Sequence, residues 1–458
     1  ANEPFSDGMS DEITTALDRV TGLTVAARST AFGFKGSGIE PREVGRRLHV
    51  RYVLDGGVRV GGDRRRVSVQ LIDVASGSEV WSENYDRDVR DRDIFGVQDS
   101  IARAIVTSLR VHLTPSGRAG LASRATASPE AHDAYLKGRF LWGQRGTGGA
   151  AALHRAIEYF DQAIALDSNY AQAWSGLADA YSMLPGFGGE AAAAWYPRAR
   201  AAAERALALD STLADPYTSL GIISLFADWD WPAAGRELAR ALAIDSTAVR
   251  SHQFRAWYFT ATGQVDSAVA EMRTALMLDP SSQVLNVRLG TTLFQARRYR
   301  EAETVYHQAL ALDSSNVAAR SELGTVLGLE HRYPDALAIL RALPRSTWDL
   351  QAGWTVAAPL GWLEGISGHR AEALQVERHL QELARTQFVT PEAFAWVAIG
   401  LGDTTRALDW LERAYQQRSF FSPFLLFPIY DPLRGQPRFQ RIVQDMKLVI
   451  PPAAAGGP

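Results

Sequence analysis

From about Ala131 onward, apolar residues recur at i, i+3, i+4 and i+7 over segments of a dozen or more residues, separated by short polar turns. Between Tyr299 and Asp313, the residues Ala302, Val305, Tyr306, Ala309, Leu310 and Leu312 fall mostly on one stripe. Such stripes predict amphipathic helices that bury one face on a neighbour. The pattern also repeats. AIALDS ends at Ser168, and variants return at 206–211, 241–246, 275–280 and 309–314, placing aspartates at 167, 210, 245, 279 and 313. The last four stand 35, 34 and 34 residues apart. The first interval is 43, and its surplus coincides with the Gly-rich stretch LPGFGGE at 184–190, which reads as a loop insertion. Each Asp-Ser or Asp-Pro pair is expected to stop one helix and to offer a cap for the next. Gly176, Gly221, Gly290 and Gly324 stand in the first helix of their pairs, the last three each eleven residues after a repeat aspartate. Helical glycine costs about 1 kcal/mol relative to alanine, so its recurrence predicts close helix packing.

A 34-residue period of paired helices resembles the tetratricopeptide repeat. With drift, the pattern continues through YPDALAILRAL at 333–343, a hairpin turning at Gly368, and another turning at Gly402-Asp403. It predicts about eight helical hairpins over residues 131–418, an all-α superhelical solenoid with a concave inner face. Residues 419–458 are read as a C-terminal cap and tail. SFFSPFLLFPIYDPL at 419–433 carries Pro423 and Pro428, which forbid a regular helix through it. It predicts a cap on the last hydrophobic face or, alternatively, an exposed apolar strip that touches a partner or a membrane surface.

Residues 1–113 lack the repeat. The pattern there predicts a helix at 10–20, a strand at 23–29, a helix from Glu40 with proline in its first turn, three strands (51–60, 64–74 and 78–86) and a last helix at 94–113. Gly61-Gly62-Asp63 and Ala75-Ser76-Gly77 signal hairpins. The expectation is a small α+β domain with an antiparallel sheet, followed by a linker at 114–130. FSDGMSDEITTALDRVTGLTVAARSTAFGFKG and EVGRRLHVRYVLDGGVRVGGDRRRVSVQLIDVASGSEVWSENYDRDV closely resemble the TolB-amino-terminal-like domain, which in bacteria commonly precedes tetratricopeptide repeats. DPLRGQPRFQRIV at 431–443 resembles the closing segment of such proteins. Members of that family usually carry an apolar first strand ending in a Pro-Phe pair ahead of the segment that begins here, and that strand is absent. The resemblance implies a periplasmic position beside the inner membrane, with the cytoplasm as the alternative. In relatives an upstream transmembrane helix often follows a cytoplasmic kinase or DNA-binding domain.

Composition narrows the chemistry. The formal net charge of −3 gives no bulk pull toward nucleic acid. The absence of cysteine excludes disulfides and thiolate chemistry. The nine histidines are scattered without metal-ligand spacing, and no nucleophile-elbow motif occurs. Asp86, Asp88, Asp91 and Asp93 alternate with Arg87, Arg90 and Arg92, and they lack the glycine of a calcium loop. GGVRVGG at 56–62 lies between strands and Lys35 lies in a loop, so neither reads as a phosphate site. Arginines 46, 47, 51, 59, 64, 65 and 66 make the N-terminal domain locally basic, which fits a solvated sheet edge better than a phosphate reader.

No catalytic residue, cofactor, metal or small-molecule substrate is therefore expected. Aromatic residues favoured at protein interfaces mark the candidate contact positions: Trp195, Tyr196, Trp229, Trp231, Trp257, Tyr258, Phe420, Phe421, Phe424, Phe427 and Tyr430. Packing in the core is the competing role for each. The expected function is a protein-protein interaction scaffold, a membrane-extrinsic subunit bracing a respiratory, transport or photosynthetic complex. The alternative is the sensor or regulatory part of a membrane-bound kinase or transcription regulator.

Overall fold

The computed structural model describes residues 38–48, 50–61 and 64–88, isolated positions between 10 and 34 and between 100 and 108, and residues 126–449 apart from 188–189, 281 and 351–352. The expected helix at 10–20, strand at 23–29, helix at 94–113 and linker at 114–130 lie largely outside those residues. The chain divides into two compact units: residues 1–147 with 154–177 and 278–281, and residues 148–153, 178–277 and 282–458.

In the first unit, α1 (Pro41–Leu48) precedes β1 (Tyr52–Gly61), β2 (Arg64–Asp73) and β3 (Glu79–Asp88), which form an antiparallel sheet in the order β1-β2-β3. Strand alternation sorts β2 into two faces. Val67, Val69 and Leu71 are buried with Tyr85, and Ile13, Leu17, Ile101 and Ile105 complete that core. On the other face, Ser68 donates to Asn84 (2.5 Å) and Gln70 to Asp55 (2.8 Å). The β2–β3 turn closes with Gly77 at φ +72°, while Asp73 Oδ1 accepts from the Ser76 amide (2.9 Å). Local acids answer the basic run. Arg66 grips Asp86 with two bonds of 2.6 and 2.8 Å, and Arg46 and Arg47 both reach Glu43. This unit also holds α2 (Pro129–Gly143) and the part of α3 (Arg145–Leu166) from His154 on. There Gly176 lies against the Phe160 ring, and buried His132 meets the Tyr170 hydroxyl at 3.0 Å.

The second unit is an all-helical solenoid of hairpins. From Ala178 it runs through α4 (Ala171–Met183) and α5 (Ala192–Leu209), α6 (Asp215–Ile223) and α7 (Trp231–Ile244), α8 (Val249–Ala261) and α9 (Val265–Leu278), and α10 (Gln283–Gln295) and α11 (Tyr299–Leu312). It continues with α12 (Val317–Leu329) and α13 (Tyr333–Arg341), α14 (Ala357–Ile366) and α15 (Arg370–Leu383), α16 (Pro391–Gly400) and α17 (Thr404–Gln417), and closes with α18 (Pro437–Asp445). First helices pack on the second helix of their own pair at α6–α7, α10–α11, α12–α13, α14–α15 and α16–α17, and each first helix from α6 to α14 packs on the first helix of the next pair. That nearest-neighbour stacking buries the apolar stripes without a central core. The phased glycines do what their spacing predicts. A Cβ at Gly221 would lie 2.7 Å from Leu238, one at Gly324 would lie 2.8 Å from Leu340, and Gly290 is covered by the Tyr306 ring.

The repeat aspartates act differently from the expected caps. Asp210, Asp245 and Asp313 end their helices in extended backbone, and each Oδ1 accepts the amide two residues on, at 2.9, 2.8 and 2.9 Å. They stand too far from the next helix to reach its first turn. Ser282 and Asn316 cap α10 and α12 instead, through the amides of Leu285 and Ala319. Within the predicted insertion, Leu184–Phe187 form a buried 3-10 turn. No described helix is long and apolar enough to cross a membrane.

Candidate protein-binding groove

Helical phase defines the inner face of the second unit. Nine, twelve and sixteen positions after the repeat aspartates stand Ser219, Ile222 and Phe226, then Phe254, Trp257 and Ala261, then Arg288, Thr291 and Gln295, then Glu322, Thr325 and Leu329. These offsets lie on one stripe of a helix. The face is polar at its start, aromatic in the middle and polar again further on.

At its start, buried Asp179 receives Ser219 Oγ (2.6 Å) and the Arg250 guanidinium, while Arg250 also faces Asp215 at 3.6 Å. Beside it, the Thr218 and Ser251 hydroxyls meet at 2.6 Å. These bonds join α4, α6 and α8, so the network sets the offset of three successive hairpins.

The chain's own C-terminal segment fills the aromatic stretch. Residues 419–433 form two 3-10 turns, Ser422–Leu426 and Pro428–Leu433, as the prolines require. Phe420 stacks on Phe226 with centroids 4.3 Å apart, and Phe424 meets the edge of Trp257 at 5.4 Å. Phe427 contacts Phe294 at 5.2 Å. On its other side the segment packs on the last hairpins: Phe421 stacks on Trp354 at 4.2 Å, and Trp396 Nε1 donates to the Tyr430 hydroxyl (2.8 Å). A Cβ at Gly186, in the inserted turn, would meet the Phe420 ring at 2.8 Å. Further along, Trp231 Nε1 donates to the Met446 carbonyl (2.9 Å) and Arg297 pairs with Asp431 (2.6 Å). The segment thus covers the last hairpin, as a cap would, and also runs back over the π turn Ser224–Asp228 that continues α6, and over α8 and α10. First helices with aromatic inner faces need that cover, and repeat spacing alone carries no sign of it.

Of the eleven candidate contact residues, Tyr196, Trp229, Trp231, Trp257, Phe420, Phe421, Phe424, Phe427 and Tyr430 are buried, so packing is the role they fill in this structure. Of the two expectations for 419–433, the alternative of an exposed apolar strip gives way to this core, because each of its rings finds an aromatic neighbour within the unit. Trp195 and Tyr258 remain half-exposed. Trp195 stacks on Tyr181 at 5.5 Å, donates to Glu190 (2.5 Å) and lies under Arg198. These contacts hold the ring rigid while part of its face stays open.

The sequence reading missed the buried charges. Glu392, fully buried at the start of α16, accepts from Ser419 (2.8 Å) and Ser422 (3.2 Å). Burial pushes its carboxyl up to about 7, against the pull of those hydroxyls. Arg288 is half-buried with its guanidinium 5.4 Å over the Trp257 ring, and burial lowers its proton affinity while Glu322 works the other way. Burial likewise raises the Glu322 carboxyl to about 7, opposed by Arg288. The available signal was polar residues at groove phases whose equivalents in neighbouring repeats are aromatic. Among the described residues, no group of acids and histidines could hold a metal ion.

A family model described as tetratricopeptide repeat matches residues 293–352. A Rhizobium meliloti (strain 1021) protein named "Putative adenylate cyclase 3" is 44% identical over 135 residues, which are 30% of this chain and 23% of that protein. The chain therefore spans less than a quarter of that relative's length. Among solved structures, a thermophilic tetratricopeptide protein of Thermus thermophilus is 18% identical, covering 45% of this chain and 99% of that one, with a TM-score of 0.35. The human IFIT1 dimer with m7Gppp-AAAA is 14% identical, covering 70% and 77%, with a TM-score of 0.46.

Proposed function

We propose that this chain is a non-enzymatic scaffold that grips protein partners through its tetratricopeptide-like array, and that it braces a membrane protein complex from the periplasmic side as an extrinsic subunit. The observation that carries the scaffold reading is the solenoid of helical hairpins between α4 and α17. Such arrays present long, rigid surfaces suited to another chain. The membrane-complex version rests on the resemblance of residues 1–113 to the TolB-amino-terminal-like domain. Because the middle of the inner face is occupied by residues 419–433, the partner is assigned to the remaining edges, with Trp195 and Tyr258 as anchors. Rigid, half-exposed aromatic rings are the residue type that dominates protein interfaces. The test is membrane fractionation in mild detergent. Co-migration with a membrane complex, weakened by Trp195→Ala, is expected, and a chain found only as a free monomer in cells would overturn the membrane-complex version.

A second reading is favoured by the Rhizobium meliloti relative. Here the chain is the regulatory portion of a longer signalling protein and its array reports partner binding to a catalytic or DNA-binding region. Reading the full open reading frame separates the two: an upstream catalytic or DNA-binding region supports this second reading, and its absence removes it.

A further inference from the structure

The inner face holds one cluster of polar groups that the packing leaves unmatched. On α10, Arg288, Thr291 and Gln295 stand at i, i+3 and i+7 on the groove stripe, and Glu322 occupies on α12 the repeat position equivalent to Arg288. Tyr306 reaches in from α11 beneath Gly290. Arg288 and Glu322 are close enough to act on each other's protonation, yet among the described residues they form no ion pair. The Tyr306 hydroxyl lies near Glu322 and Thr291 and influences the Glu322 carboxyl, but it reaches neither in good hydrogen-bond geometry. That hydroxyl and both amide atoms of Gln295 are buried without a partner, Gln295 being 5% exposed and Tyr306 0%. The Thr291 and Thr325 hydroxyls donate to the carbonyls of Val287 and Ser321, which leaves their oxygens able to accept.

Native folds leave few buried polar atoms unmatched, and here two side chains on neighbouring helices, Gln295 on α10 and Tyr306 on α11, share that condition beside the half-buried Arg288 and Glu322. What they lack defines what would complete them. The Arg288 fork, resting on Trp257, needs an anionic acceptor such as a carboxylate. Glu322 needs a cationic donor, and its presence disfavours a ligand carrying only negative charge. Arg288 disfavours one carrying only positive charge. Gln295, two turns along α10 from Arg288, offers an amide N–H donor and a carbonyl acceptor and is buried, while Arg288 and Glu322 are half-buried. Packed helices lie about 8–10 Å apart, so a ligand bridging these two side chains between α10 and α12 must be small. That spacing suits two opposite charges borne on one carbon, not the two ends of a peptide.

We propose that this cluster is a binding site for a small zwitterion, a free α-amino acid, with its carboxylate on Arg288, its ammonium on Glu322 and Gln295 beneath it. The site is a ligand pocket within the array and does not depend on the scaffold's partner.

The test is calorimetric titration of the whole chain with a panel of free L-amino acids, each compared with its N-acetyl and its carboxamide derivative. At least one free amino acid is expected to bind saturably, with blocking of either charge weakening it about tenfold or more. Arg288→Gln and Glu322→Gln should each weaken binding by a similar factor while the thermal unfolding curve is retained. Should Arg288→Gln fail to fold, the near-isosteric Glu322→Gln and Gln295→Leu variants read the same site. No saturable binding by any free amino acid, binding that survives blocking of both charges, or binding indifferent to these substitutions would each overturn the proposal.

Discussion

Phe420 stacks face to face on Phe226, ring centroids 4.3 Å apart and planes 16° from parallel, which brings the end of the chain onto the first helix of an early hairpin. Both rings are buried, at 7% and 1% exposure. Phe420→Ala and Phe226→Ala should each cost about 3–5 kcal/mol of stability in denaturant unfolding, as large-to-small changes in well-packed cores do. The double variant should cost less than the sum by about 0.5–1.5 kcal/mol, the coupling of a stacked aromatic pair. Strict additivity would place the two rings in separate cooperative units.

Glu392 makes the second unit sensitive to pH. Its carboxyl is raised by burial to about 7, above the ordinary value of 4.5. The folded protein therefore binds this proton more tightly than the unfolded chain does. The stabilisation is complete below about 4.5 and is lost as pH rises through about 7, a decline on the order of 3 kcal/mol. Glu322 slopes the same way but is partly open to solvent, so its share is smaller. Glu392→Gln should flatten most of the decline between pH 5 and pH 8 in denaturant titrations. A slope unchanged by that substitution would remove Glu392 as its source.

In the first unit the sign reverses at His132. Burial lowers this imidazole to about 4, from an ordinary 6.5, with Asp133 opposing. The unfolded chain takes up the proton first, so stability is present above about 6.5 and is lost as pH falls toward 4. Hydrogen exchange of amides in α2 should accelerate on acidification over that window, and His132→Gln should abolish the acceleration.

The Asp179–Arg250 pair should be costly to break from one side. Asp179→Ala leaves a largely buried guanidinium with only the more exposed Asp215 as counter-charge, and about 2–4 kcal/mol of destabilisation is expected, read as a lower midpoint of urea unfolding. Replacing both residues with leucine should cost much less, because no uncompensated charge remains. Equal losses in the two variants would assign the effect to shape and not to charge.

Gly290 offers a check on helix spacing. Its missing side chain lets the Tyr306 ring lie directly on α10, and Gly290→Ala should destabilise by about 1–3 kcal/mol even though alanine is the better helix former. A stabilised variant would mean that the ring can step aside.

Much of the solenoid was legible because its information is local and repeated. The 34-residue spacing, the apolar stripes and the phased glycines each follow from what one hairpin must do to pack on the next, and the structure places Gly221 against Leu238 and Gly324 against Leu340 as that logic requires. The sheet was legible for the same reason, with alternation over β1–β3 and turn residues at Ala75-Ser76-Gly77. The aspartates were misjudged in detail because an Asx turn and a helix cap call for the same residue type, and only the distance to the next helix separates them.

Tertiary structure alone decided what fills the groove. Phe420, Phe424 and Phe427 are apolar and aromatic whether they face a partner, a membrane or the chain itself. Which of these holds depends on whether Phe226, Trp257 and Phe294, far earlier in the chain, present an uncovered aromatic face at matching height. The same holds for Arg288 and Glu322, whose side chains read as ordinary solvated charges until α10 and α12 turn them onto one inner face. Sequence determined the helices and their neighbours, since those contacts span one or two repeats. The curvature of many repeats summed together determined which distant residues meet, and with that the candidate site.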